Sequence, residues 1–101
     1  MAGTLVGPSI RAKRIAQGLI HTGRAIDVMA TTTNGFICLR AAIGGFYWVA
    51  NDGKRLLRGD DMKGADILQG GFISAMERAG GRAEQDASAA RFSSENLATL
   101  K

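Results

Sequence analysis

The chain has 101 residues, 46% hydrophobic and 22% charged, a composition that suits one folded domain and argues against wholesale disorder. No apolar run approaches the roughly 18 residues of a membrane-spanning helix. The formal net charge of +4 is unevenly placed. Residues 1–58 carry eight basic and two acidic side chains, whereas residues 59–101 carry five and seven. That asymmetry points to a polyanionic partner for the first half. The single cysteine, Cys38, excludes an internal disulfide and suits a reducing, cytoplasmic setting.

In chain order, residues 1–9 read as a flexible lead, and Pro8-Ser9 as a helix start. Helical periodicity runs from Ile10 to about Met29. Ala12, Ile15, Leu19, Ile20, Ile26 and Met29 fall on one side, and Lys13, Arg14, Gln17, His21 and Arg24 on the other. Gly18 and Gly23 weaken the second half. The first 26 residues, amphipathic and free of acid until Asp27, also fit a mitochondrial targeting segment, although a structural helix explains the same pattern. Thr31 to Gly35 then forms a polar linker.

Phe36 to Arg58 reads as a three-stranded antiparallel meander with two-residue turns at Gly44-Gly45 and Asp52-Gly53. These turns set Ile43 opposite Phe46, Ala41 opposite Trp48, Val49 opposite Leu56 and Tyr47 opposite Arg58. Because paired residues share a face, Ile37, Leu39, Ala41, Ile43, Phe46, Trp48 and Leu57 form the expected core face. Cys38, Arg40, Ala42, Tyr47, Val49, Lys54, Leu56 and Arg58 form the other, with Arg55 at the rim of the first. A one-residue slip would exchange every assignment.

Asp60-Asp61 reads as the cap of a helix from Met62 to about Ala79, with the stripe Ala65, Leu68, Phe72, Ala75, Met76 and Ala79. Gly70-Gly71 marks a kink and Gly80-Gly81 a stop. Residues 82–101 read as a weakly ordered tail or arm. The expectation is therefore α+β, a two-layer αβββα domain over residues 10–81 with both helices on one sheet face. The helix–strand–strand–strand–helix order is similar in topology to double-stranded-RNA-binding domains. Where those begin their last helix with lysines, this chain has Asp60-Asp61-Met62-Lys63, so no site residue is carried over.

No catalytic, metal or cofactor motif stands out. His21 and Cys38 are each alone of their kind and nothing in their spacing pairs them. Asp60, Asp61 and Asp66 lack the spacing of a calcium loop. The reading is a small non-enzymatic binding protein. Its nucleic-acid or partner-binding residues are Arg40, Tyr47, Lys54 and Arg58 on the open sheet face, assisted by Lys13 and Arg14 on the first helix. The alternative is a protein-interaction or inhibitor module, monomeric or homodimeric, that uses the same face or the C-terminal arm.

Overall fold

A computed structural model describes residues 7–84. The elements in order are α1 (Ile10–His21), β1 (Ala25–Thr31), β2 (Ile37–Ala41), β3 (Phe46–Val49), β4 (Leu56–Gly59), β5 (Asp66–Ile67) and α2 (Gly70–Glu84). The strands form one antiparallel sheet in the order β1-β2-β3-β4-β5. The class is α+β, but the expected three-stranded meander is the middle of a five-stranded one. The tail proposed for residues 82–101 lies outside the described residues from 85 onward. No helix among the described residues is long and apolar enough to cross a membrane.

Helix α1 begins as its sequence dictates. The Ser9 hydroxyl accepts a hydrogen bond from the Ala12 N–H at 3.0 Å, satisfying one of the unpaired donors of the first turn. It ends earlier than the apolar stripe suggests. Gly23 takes φ +81°, its N–H donates to the Ile20 carbonyl, and the Arg24 N–H donates to the Leu19 carbonyl. This pair of bonds is a Schellman stop. Gly23 therefore terminates the helix, and Ala25–Thr31 becomes an edge strand that the helical reading absorbed. Ile26 and Met29, expected on the helix's apolar side, are exposed on that strand.

The second hairpin has the expected register: Val49 opposite Leu56, Trp48 opposite Leu57 and Tyr47 opposite Arg58. The first does not. Ala41 pairs with Gly45 around a three-residue loop, Ala42–Gly44, in which the Gly44 N–H donates to the Ala41 carbonyl at 3.1 Å. Gly44 and Gly45 have φ of +106° and +76°, so both glycines are needed, but for a longer loop than a two-residue turn. Arg40, not Ile43, stands opposite Phe46. The offset is three residues, an odd number, so it reverses the faces of β3 and β4 relative to β2.

The core follows from that reversal. Ile37, Leu39 and Ala41 pack with Tyr47, Val49 and Leu56 beneath Ala12, Ile15, Ala16 and Leu19 of α1. Tyr47, expected in water, is 6% exposed, and Trp48, expected in this core, sits on the opposite face. α1 lies on the sheet, while α2 packs chiefly on α1 and contributes Ile73 and Met76 to the core.

The second helix also differs from its expected span. Residues 62–69 form a turn and the short β5, and α2 starts at Gly70. Asp61 caps no helix; its carboxylate accepts the Gly64 N–H at 2.9 Å within the β4–β5 turn. Gly80-Gly81 does not stop α2, which continues through both to Glu84. A side chain is forbidden at Gly80 for a different reason. A Cβ there would stand 1.7 Å from the Arg14 carbonyl oxygen, and one at Gly18 would stand 1.9 Å from that of Met76. Small residues at this crossing let the two helix backbones touch.

Candidate nucleic-acid interface

The sheet face away from the helices is built by alternation. Cross-strand partners point the same way, so Cys38, Trp48, Leu57 and Ile67 form one row and Arg40 with Phe46 another. Phe36 and Arg55 continue the alternation beyond the core residues Ile37 and Leu56, and the Arg55 guanidinium carbon lies 5.7 Å from the centre of the Phe36 ring. Phe46 and Trp48 stand 5.9 Å apart with their planes inclined at 49°. Three rings and two guanidinium groups therefore share one helix-free face.

The exposures within this set differ. Phe36 and Phe46 are half-buried, Arg40 and Arg55 are exposed, and Trp48 is only 7% exposed. Phe36 and Phe46 offer ring surface to a ligand, while Trp48 supports Phe46 from beside it. Arg40 is loosely held: its Nε lies 3.8 Å from an Asp27 carboxylate oxygen and its Nη2 3.5 Å from the Met29 sulfur. An exposed pair at that distance contributes little and leaves the guanidinium available.

The residues singled out from sequence divide between two faces. Arg40 lies on the helix-free face. Tyr47 and Arg58 lie on the helix side, where the Arg58 guanidinium carbon is 5.9 Å from the Tyr47 ring centre and Nη2 donates to the Gly44 carbonyl at 3.0 Å. The expectation that Arg40, Tyr47 and Arg58 share one surface is thereby corrected; the odd offset of the first hairpin separates them. Lys54 is exposed on the β3–β4 turn, and Lys13 and Arg14 are half-buried on α1. Phe46 and Trp48, expected in the core, and Arg55, expected at its rim, lie on this helix-free face. A three-residue loop ending on glycine, as Ala42-Ile43-Gly44 does, is the sequence signal that would have placed them correctly.

Cys38 faces the helix-free side, whereas His21 closes α1 on the other side of the sheet, so the structure does not bring them together. Burial raises the Cys38 thiol above its ordinary pKa. At pH 7.5 the thiol is expected to react with iodoacetamide more slowly than free cysteine, with the rate climbing at higher pH. Alkylation as fast as that of glutathione would contradict this placement. Among the described residues no group of three or more His, Cys, Asp or Glu side chains is placed to hold a metal ion. Comparison with family models, with curated proteins and with solved structures finds no match to this chain.

Proposed function

We propose that the protein binds single-stranded nucleic acid through the helix-free face of its sheet. The observation that supports this reading is the grouping of Phe36, Phe46 and Trp48 with Arg40 and Arg55 on that face. Bases stack on rings without regard to sequence, and guanidinium groups pair with phosphates and stack on bases in turn. The corrected face carries more aromatic surface than the set first read from sequence.

A fluorescent oligothymidylate titrated with the protein at low and moderate salt tests the proposal by anisotropy. Binding should weaken steeply with salt, as counterions return to the phosphates. Phe36→Leu with Phe46→Leu should lower affinity roughly 10-fold or more, because each base stack is worth about 1–3 kcal/mol. A melting temperature close to wild type would show that the loss is not unfolding. Unchanged affinity in the double variant would refute the reading.

A second reading, a protein partner or a homodimer, is favoured by one observation. Ile67, 71% exposed beside Leu57, and Met29, 44% exposed beside Arg40, add apolar surface around the same face. Salt-insensitive self-association in light scattering, abolished by Ile67→Asp, would select it.

A further inference from the structure

We infer, resting on the reading above, that the bound strand does not end at the sheet face but turns over one rim of the sheet and continues onto the start of α1. The rim is the β3–β4 turn. The Ser9 N–H donates to the Asn51 carbonyl at 2.8 Å, fastening the first turn of α1 to that turn. The stem of Arg11 lies against Gly53, where a Cβ would stand 2.8 Å from Arg11 Cγ. Lys54 is exposed at the tip, and Arg55 reaches back over Phe36 on the sheet face. Lys13 and Arg14 follow within the first turn and a half of α1.

Charge decides between the two ends of the sheet. Among the described residues, Arg11, Lys13, Lys54 and Arg55 stand at this end with two carboxylates, Asp52 and Glu77, an excess of two positive charges. Glu77 is committed to Arg11 at 2.9 Å, and Asp52 accepts the Lys54 backbone N–H at 2.8 Å within its own turn. At the opposite end Arg24, Arg58 and Lys63 meet Asp60, Asp61 and Asp66, and the charges cancel. A polyanion leaving the aromatic face is thus drawn over the β3–β4 turn and not toward Gly44-Gly45. The path also selects the form of the ligand. It passes from one side of the sheet to the helix layer within a body of 37 × 30 × 21 Å. A duplex, stiff over about 50 nm, cannot follow that turn, and a single strand can.

The experiment compares oligothymidylates of about 4 and about 12 nucleotides, lengths that bracket a short stacking site and an extended one. Anisotropy is read with wild type, with Lys13→Ala/Lys54→Ala, and with Phe36→Leu. The longer strand offers a short site roughly nine registers, so length alone gives up to about 10-fold in affinity, and an extended site should give about 100-fold. In the double lysine variant that excess should disappear for the long strand, with its salt slope reduced by about 1.4, while the short strand is unaffected. Phe36→Leu should weaken both lengths. If the lysine variant weakens both lengths alike, or neither, the path over the rim is wrong while the sheet face stands. If neither length binds wild type, or Phe36→Leu leaves both unchanged, the sheet-face reading fails with it.

Discussion

Gly80→Ala is expected to destabilise the protein by about 2–3 kcal/mol, although the same change in an ordinary helix interior is stabilising. Alanine gains roughly 0.5–1 kcal/mol over glycine from the unfolded chain's lost freedom. Against this, the new methyl would stand 1.7 Å from the Arg14 carbonyl oxygen and 2.6 Å from its carbonyl carbon. Those are backbone atoms of a packed helix and cannot rotate aside. Either α1 and α2 separate, weakening the contacts of Ile73 and Met76 with the core, or both helices bend. Overpacking of this kind costs about 1–3 kcal/mol and sometimes more, and a rigid backbone obstacle belongs at the upper end. Gly81→Ala, one residue on and with nothing within 4 Å of the new Cβ, should instead stabilise by about 0.5–1 kcal/mol. Thermal denaturation of the two variants makes the comparison. For a domain of this size the midpoint temperatures should separate by about 10 °C or more. Equal shifts of the same sign would mean that the helices do not touch at this crossing. Gly18→Ala meets the Met76 carbonyl in the same contact, so its cost combined with that of Gly80→Ala should be less than additive.

Local signals were legible where one interaction decides a local conformation. Pro8-Ser9 announced the start of α1, because the hydroxyl cap needs only the next three residues. The register of the second hairpin was legible although its loop is four residues, Asn51–Lys54, closed by the Ala50 N–H on the Arg55 carbonyl at 2.9 Å. Widening the expected two-residue turn by one residue on each side leaves every pair in place. What failed was the interpretation of glycine. Gly23 lowers helix propensity whether it sits inside a helix or ends one, and only the two capping bonds distinguish the cases. Gly44-Gly45 signalled positive φ but not the number of residues in the loop, and that number decides which face each strand presents. Gly80-Gly81 has the composition of a helix stop, yet the contact that demands Gly80 comes from Arg14, 66 residues earlier in the chain. The loop length of the first hairpin also decides the membership of the candidate site. Arg40 stayed on the helix-free face because β2 was oriented correctly, and Tyr47 exchanged places with Trp48 because β3 was not.

That exchange carries the other large effect. Tyr47→Ala should cost about 3–5 kcal/mol, the range for emptying a large aromatic site in a core. The ring is 6% exposed, pairs with Leu39 across the sheet and packs in the cluster under α1. It also supports Arg58, whose guanidinium lies over its face. The total stability of a domain of this kind is about 5–15 kcal/mol, so a loss of this size leaves the variant marginal. Trp48→Ala does not discriminate between the faces, because Trp48 is nearly as buried on the other side of the sheet. The neighbours on β4 do. Leu56 is fully buried opposite Val49, and Leu57 is half-buried opposite Trp48. Leu56→Ala should therefore cost about 2–5 kcal/mol and Leu57→Ala about 1 kcal/mol. In the register expected from a two-residue Gly44-Gly45 turn the order of the two leucines is reversed, so urea unfolding of this pair decides the facing of the strands. A larger loss at Leu57 would return Tyr47 to the outer surface and remove Phe46 and Trp48 from the proposed platform. A larger loss at Leu56 leaves Leu57→Ala as a folded variant, in which the apolar part of the helix-free face can be trimmed and its effect on oligothymidylate binding read directly.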